Sequence, residues 1–165
     1  MIVYLVGMPG AGKSTVGREL AGRLGVPFID LDERIERDAG ASVSDVFRRD
    51  GEAAFRALEA ATLVQASGED PSIVACGGGV VLEPANRITL RNTGVVVFLH
   101  APLEVLRARI RPAAERPLIR HDGDLERLLN EREPLYREFA AHVVDASGSP
   151  GQVAHAIIEE LRWSV

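Results

Sequence analysis

The chain has 165 residues, 46% of them hydrophobic and 26% charged, with a formal net charge of −5. These values are typical of one globular domain with a substantial core, and the negative charge argues against general nucleic-acid binding, which normally needs a basic surface. A single cysteine excludes an internal disulfide, and the apolar run at residues 2–6 is too short for a secretory signal or a membrane span. We therefore expect a soluble, cytoplasmic protein with neither nucleic acid nor membrane as a partner.

Short apolar runs alternate with helical patterns along the chain. Strands are predicted at residues 2–6, 28–29, 72–75, 94–99 and 142–144, and helices at about 14–24, 31–38, 43–49, 51–67, 84–90, 102–110, 124–140 and 150–163. This alternation predicts an α/β fold, a parallel sheet covered by helices on both faces and joined by right-handed crossovers. Because ligands of such sheets bind at the carboxyl ends of the strands, we expect functional residues directly after each strand.

The first strand leads into a glycine-rich loop at residues 7–14, Gly-Met-Pro-Gly-Ala-Gly-Lys-Ser. The loop matches G-x-x-x-x-G-K-[ST], in which backbone N–H groups wrap phosphates, the lysine reaches the β- and γ-phosphates and the serine meets Mg²⁺. Lys13 is the only lysine among 19 basic residues, and its compact ammonium fits between phosphates where a guanidinium is too broad. We predict a nucleoside triphosphate site formed by Gly10, Ala11, Gly12, Lys13, Ser14 and Thr15.

Asp30 and Asp32 follow the second predicted strand. Alternation along an extended chain would point both carboxylates the same way, toward the site if the strand ends there. Many phosphate-loop enzymes hold magnesium with an aspartate that closes the strand corresponding to 72–75, but none stands there, so Asp30 is the candidate to hold Mg²⁺ through water beside Ser14. The alternative for one carboxylate is a helix N-cap, for which Asp32 is a candidate, although a cap needs only one of the two.

Three consecutive glycines, Gly77, Gly78 and Gly79, follow the third predicted strand. Glycines expose backbone N–H groups and remove every side chain, whereas a tight turn needs only one or two of them. At the carboxyl end of a strand they indicate a second anionic or polyol ligand that lies against the backbone.

Arg56 and Arg132 both lie among acidic residues on predicted helices. Helical spacing puts Arg56 near Glu52 and Glu59, so a surface ion pair explains it as well as a binding role does. The spacing of residues alone leaves both arginines equally ambiguous.

Residues 110–123 have no clear period, two Arg-Pro steps and a glycine, which favour a loop over a helix. Five arginines and one glutamate lie between residues 107 and 120. A solvated basic face is one interpretation. We favour a mobile cationic lid that closes over polyphosphate, because the loop follows a strand–helix unit on the ligand side of the sheet.

Taken together, these motifs resemble those of the shikimate kinases, in the same order, from residue 2 to about 146. They are the loop at residues 7–14, Asp30-Leu31-Asp32, Phe55-Arg56-Ala57-Leu58-Glu59, Gly77-Gly78-Gly79-Val80, Arg116-Pro117-Leu118 and Arg132-Glu133-Pro134-Leu135-Tyr136. The resemblance implies a P-loop NTPase fold of the nucleoside monophosphate kinase type, a three-layer α/β/α arrangement around a five-stranded parallel sheet. It further implies one domain over residues 1–165, with a lid at about 110–123 and a substrate-binding helical region at about 31–60.

By the same resemblance, the chain would transfer the γ-phosphoryl group of ATP to the 3-hydroxyl of shikimate, with Mg²⁺ as cofactor and as a monomer. The implied catalytic residues are Lys13, Asp32 and Arg116, and the implied metal residues are Ser14 and Asp30. Arg109 and Arg116 would join the phosphate loop in binding ATP, with Arg109 packed on adenine, although Arg111 is close enough to be the alternative. Substrate would be held by Asp32, Arg56, Glu59, Gly77, Gly78, Gly79 and Arg132, with Glu59 orienting Arg56.

Two other functions share part of this pattern. Gluconate and nucleoside monophosphate kinases have the phosphate loop and a lid, but are not expected to combine the aspartate pair, the Phe-Arg-x-x-Glu helix and the triple glycine. A nucleotide switch would leave Arg56 and Arg132 without an explanation.

Overall fold

The computed structural model describes residues 1–110, 118–121 and 123–162. Five strands form one sheet: β1 (Ile2–Val6), β2 (Phe28–Asp30), β3 (Ser72–Ala75), β4 (Gly94–His100) and β5 (His142–Asp145). All neighbouring pairs are parallel, and the order across the sheet is β2-β3-β1-β4-β5. Strands β1 and β3 are buried along their whole length, as continuous apolar runs in a parallel sheet covered on both faces should be.

The helices are α1 (Lys13–Leu24), α2 (Leu31–Ala39), α3 (Val43–Asp50), α4 (Glu52–Ala66), α5 (Pro84–Thr93), α6 (Leu103–Arg109), α7 (Asp124–Phe139) and α8 (Pro150–Glu160). Every strand and helix predicted from the pattern is therefore confirmed. The largest differences are at the ends of α5, which continues to Thr93, and of α8, which ends at Glu160 and not at the predicted residue 163. A short 3₁₀ helix at Val80–Leu82 follows the triple glycine and was not predicted.

The direction of the crossovers sets the layers. Helix α1 carries the chain from β1 past β3 to the edge strand β2, whereas α5 carries it the opposite way, from β3 past β1 to β4. Crossovers of the same hand then put α1 and α5 on opposite faces of the sheet. Helix α8 packs on α1, and α4 packs on α5, which completes the three layers. The change of direction at β1 and β3 opens a crevice at their carboxyl ends.

Helices α2, α3 and α4 carry a second, smaller hydrophobic cluster beside the main core. Its buried members are Ile35, Val46 and Phe55, with Phe47 packed against them. The rings of Phe47 and Phe55 lie 4.7 Å apart. This cluster holds the three helices together at the end of the sheet where the crevice opens.

None of the helices within the described parts of the chain is long and apolar enough to cross a membrane.

Candidate active site

The glycine-rich loop joins β1 to the amino end of α1. Gly10 and Gly12 have φ angles of 85° and 88°, a left-handed backbone that glycine adopts at little cost. Helix α1 begins at Lys13, and no side chain of the described residues caps it. The first N–H groups of the helix therefore face the crevice, where they and the helix dipole favour an anion.

The side chain of Lys13 folds back over this loop. Its ammonium group donates hydrogen bonds to the carbonyl oxygens of Gly7 at 2.8 Å and Met8 at 3.0 Å. The one lysine of the chain is thus held over the loop that its motif predicts to bind phosphate.

Asp30 links the loop to α2 with its two carboxylate oxygens. Oδ2 accepts a hydrogen bond from the Ser14 hydroxyl, while Oδ1 accepts from the backbone N–H groups of Asp32, at 3.0 Å, and Glu33, at 3.2 Å. Asp30 is therefore the N-cap of α2, and the suggestion that Asp32 is the cap was wrong. Asp30 is the cap because β2 ends there and α2 begins at the next residue. Asp32 therefore lies in the first turn of the helix, and the helix, not the alternation of a strand, sets the direction of its side chain.

A cavity of about 440 Å³ lies over the loop. It is lined by residues 9–16 of the loop and α1, together with Asp30, Asp32, Ala75, Cys76, Gly77, Gly78, Arg109, Ala146, Gly148 and Pro150. This set contains every predicted ATP-binding residue that the structure describes. Arg116, at the predicted lid, lies outside the described residues, as does most of the 110–123 segment.

Arg109 forms one end of this first cavity. Its guanidinium donates hydrogen bonds to the carbonyl oxygens of Ala146 at 2.7 Å, Ser147 at 3.0 Å and Gly148 at 3.3 Å. These bonds fix the arginine against the loop between β5 and α8, so that both form one wall of the cavity.

A second cavity of about 230 Å³ adjoins the first. Its lining residues are Pro9, Asp32, Glu36, Val43, Phe47, Phe55, Arg56, Glu59, Gly77, Gly78, Gly79, Leu118, Ile119, Leu128 and Arg132. All the predicted substrate-binding residues are among them. Asp32, Pro9, Gly77 and Gly78 line both cavities, so the Asp32 carboxylate lies where the two meet.

Two arginines and one glutamate form the charged wall of the second cavity. The Arg56 guanidinium donates to Oε1 of Glu59 at 2.9 Å and to Oε1 of Glu52 at 3.4 Å, the ion pairs that helical spacing predicts. Arg132 is only 3% exposed. Among the described residues, the buried Nε atoms of Arg56 and Arg132 and Oε2 of Glu59 have no hydrogen-bond partner. Unpaired buried polar atoms are costly, and the three residues that carry them all line the second cavity.

The Glu59 side chain is completely buried. Burial raises the pKa of this carboxyl to about 7, and the nearby Asp32 charge acts in the same direction, whereas Arg56 and Arg132 lower it. Desolvation therefore outweighs the ion pair with Arg56.

Each glycine of the triple gives room to a charged side chain. A Cβ added at Gly77 would lie 2.8 Å from Oε2 of Glu59, and one at Gly78 would lie 3.1 Å from a terminal nitrogen of Arg132. At Gly79 the added atom would lie 2.5 Å from Cζ of Arg56. The glycines thus let three charged side chains, from helices α4 and α7, converge on one backbone loop.

Some cavity residues were not singled out from the sequence. Glu36 lies four residues after Asp32, on the same face of α2, and that spacing could have revealed it. Pro9 occupies a position of the phosphate loop that the loop motif leaves open to any residue. Phe55 was part of the Phe-Arg-x-x-Glu motif but was given no role in the site, and nothing in the sequence around Phe47 distinguishes it from an ordinary core residue.

The fold and the paired cavities define a phosphate-loop kinase for a small acidic acceptor. One cavity lies over a triphosphate-binding loop, the other is walled by two arginines, and a carboxylate lies between them.

The chain belongs to the shikimate kinase family, since the family model described as shikimate kinase matches residues 9–162. It is 49% identical to a shikimate kinase of Halorhodospira halophila, with 97% of this chain and 93% of that protein aligned. A shikimate kinase of Paracidovorax citrulli is 46% identical, with 96% and 88% aligned.

Solved structures agree with this assignment. A shikimate kinase from Acinetobacter baumannii in complex with shikimate superposes with a TM-score of 0.94 at 37% identity, over 98% of this chain and 92% of that one. A deoxyadenosine kinase from M. mycoides, at 19% identity and a TM-score of 0.65 over 98% and 99%, shares the fold. The phosphate-loop kinase fold predicted from the sequence is confirmed.

Proposed function

We infer that this chain transfers the γ-phosphoryl group of ATP to the 3-hydroxyl of shikimate, giving 3-phosphoshikimate and ADP. Two observations support this function. The chain belongs to the shikimate kinase family, and Asp32 lines both cavities at the place where they adjoin. Shikimate has a carboxylate on a ring with three hydroxyls. A wall with two arginines matches the carboxylate, because guanidinium groups bind carboxylates by paired, charge-assisted hydrogen bonds.

We propose that Arg56, Arg132 and the backbone of the triple glycine hold the shikimate carboxylate. Their convergence on one wall of the second cavity supports this. Glu59 would orient Arg56 through the 2.9 Å ion pair. With its carboxylate held there, the ring would extend across a cavity of about 230 Å³ toward Asp32.

We propose that Asp32 orients the hydroxyl that attacks the γ-phosphorus and is placed to accept its proton. Its position on the wall shared by the two cavities supports this role. Catalysis would come mainly from positioning and charge neutralisation, with Lys13 at the phosphates. Arg109 would pack on adenine, beside the 146–148 loop to which it is bonded.

We propose Mg²⁺ as the cofactor, held through Ser14 and, through water, Asp30. A hydroxyl and a carboxylate in contact beside a phosphate loop are the oxygen donors that Mg²⁺ takes together with phosphate oxygens. No cluster of three or more His, Cys, Asp or Glu side chains suited to a metal occurs in the described ranges, so most of the remaining ligands would be phosphate and water. The metal would neutralise charge on the phosphates.

The wider organisation stays a proposal as well. We propose a single domain over residues 1–165, with helices of the 31–60 region forming the substrate side, which their separate hydrophobic cluster supports. A lid at about 110–123 would bring Arg116 onto the transferring phosphate and exclude water. The protein would act as a monomer in the cytoplasm, with ATP and shikimate as its partners and no nucleic acid or membrane.

An ADP-release assay with a panel of acceptors tests the function. Shikimate should stimulate ADP release strongly, whereas gluconate and nucleoside monophosphates should not. Asp32→Ala should abolish transfer while leaving ATP binding largely intact, and Lys13→Met should abolish transfer with every acceptor. Stimulation by another acceptor in place of shikimate, or ADP release that no acceptor increases, would refute the proposed function.

A further inference from the structure

Tyr136 is a completely buried residue of α7 whose hydroxyl reaches the triple glycine. Its O–H donates a hydrogen bond to the carbonyl oxygen of Gly78, 58 positions away in the sequence. Its ring stacks on Phe98, with centroids 5.0 Å apart and planes at 28°. Buried tyrosines usually find a hydrogen-bond partner, so the informative feature is that this partner is the backbone of the acceptor cavity.

The Gly78 carbonyl and the Gly79 N–H belong to the same peptide group. Because that group is planar and trans, the two point in opposite directions, and a bond that fixes the carbonyl also fixes the direction of the N–H. Three successive glycines give this segment unusual conformational freedom, so its orientation has to be set by a contact from outside.

The same peptide group lies between the two arginines. The Arg132 guanidinium lies beside the Cα of Gly78, and the Arg56 guanidinium beside the Cα of Gly79. All four residues line the acceptor cavity. A carboxylate bound by the two arginines would therefore lie next to the Gly79 N–H.

We propose that Tyr136 is a positioning residue which, by holding the Gly78 carbonyl, directs the Gly79 N–H toward the carboxylate of the acceptor. The inference rests on the proposed function and adds to it a residue that does not itself line the cavity. Arg132 lies one helical turn before Tyr136 on α7. The same face of this helix therefore carries the Arg132 guanidinium and the Tyr136 hydroxyl, which would orient the Gly79 N–H.

The Tyr136 hydroxyl keeps the proton that it donates to the Gly78 carbonyl. Burial raises the pKa of Tyr136 well above its usual value, although the nearby Arg132 charge and a hydrogen bond with the Arg132 side chain act in the opposite direction. The raised pKa keeps the hydroxyl protonated at neutral pH.

Tyr136→Phe tests the proposal, because it keeps the ring and its stacking and removes only the hydroxyl. The matched control is Tyr4→Phe. Tyr4 is the other tyrosine of the chain, is also completely buried, and shares a 2.7 Å hydrogen bond with Thr93 Oγ1 away from both cavities. Both variants should lose similar amounts in Tm. Tyr136→Phe should raise KM for shikimate about five- to tenfold, the effect of one hydrogen bond, with KM for ATP within twofold of wild type. Tyr4→Phe should leave both KM values within twofold.

A second measurement separates positioning from a general structural effect. An analogue of shikimate with a hydroxymethyl group in place of the carboxylate should compete with shikimate almost equally well in wild type and Tyr136→Phe. An unchanged KM for shikimate in Tyr136→Phe, an equal rise in Tyr4→Phe, or an equal loss for the analogue would each overturn the proposal. Failure of the proposed function would look different, because the wild-type enzyme itself would not phosphorylate shikimate.

Discussion

Gly79→Ala is the substitution that should separate acceptor binding from every other property of the enzyme. The φ and ψ of Gly79 are −94° and 3°, the angles of the third residue of a type I turn, which most residues including alanine adopt, so the new methyl group acts mainly through the space that it fills. That space belongs to Arg56, whose Cζ would lie 2.5 Å from the added carbon. The guanidinium, at the end of a flexible side chain, would have to move by roughly 1 Å to restore an ordinary van der Waals distance.

Such a shift moves the Arg56 guanidinium out of hydrogen-bonding position for the shikimate carboxylate, while the fold stays intact. A hydrogen bond to a charged group contributes about 1.5–3 kcal/mol, which corresponds to about a 10- to 150-fold loss in kcat/KM for shikimate. KM for ATP should stay within about twofold of wild type, because Gly79 does not line the cavity over the phosphate loop.

The assay is steady-state ADP release with each substrate varied in turn, and Gly22→Ala is the control. A Cβ added at Gly22, on α1, meets nothing within 4 Å, so this variant should keep wild-type kinetics and gain up to about 1 kcal/mol of stability. A Gly79→Ala enzyme with kcat/KM for shikimate within twofold of wild type would refute the assignment of Arg56 to the acceptor.

Three further predictions concern Glu59, Arg109 and Asp30. Burial raises the pKa of Glu59 from 4.5 to about 7, so the folded state keeps a proton that the unfolded state loses, and the wild type should lose stability as pH rises through that window. Glu59→Gln removes this penalty, which is on the order of 3 kcal/mol for a shift of this size, so its Tm should rise relative to wild type between about pH 5 and about pH 8; parallel Tm profiles would contradict the raised pKa. Arg109→Ala should raise KM for ATP about five- to tenfold and leave KM for shikimate unchanged, whereas the exposed Arg107, mutated to alanine as control, should do neither; equal effects would exclude a specific role in nucleotide binding. Asp30→Asn keeps an N-cap of similar quality, so Tm should change little while the Mg²⁺ concentration for half-maximal activity rises; an unchanged Mg²⁺ requirement would argue against Asp30.

The sheet and its helices could be predicted from the sequence because local pattern and global fold agree. Buried parallel strands read as continuous apolar runs, and the helices between them keep their period. The phosphate loop was equally clear, since its motif, its preceding strand and its following helix lie next to one another in the chain.

The acceptor site depends on contacts that a local pattern cannot contain. Arg56 and Arg132 are 76 positions apart, and the acidic residues near each in the sequence are equally consistent with a surface position. Only the fold brings both to one wall, and only the resemblance to shikimate kinases favoured a binding role beforehand. For the same reason the triple glycine was understood in part, because the sequence indicates exposed backbone but not which side chains fill the space that the glycines leave.

The N-cap of α2 is a smaller feature that the sequence could not predict. Asp30 and Asp32 are chemically equivalent candidates, and the choice between them depends on the residue at which β2 ends. A strand of three residues cannot be bounded that closely from its pattern.

A crystal structure of the enzyme with shikimate and an unreactive ATP analogue tests the central claim most directly. We expect the shikimate carboxylate between the guanidinium groups of Arg56 and Arg132, and a ring hydroxyl within hydrogen-bond distance of Asp32 on the side that faces the γ-phosphate. Shikimate bound with its carboxylate away from both arginines, or with no hydroxyl near Asp32, would contradict it.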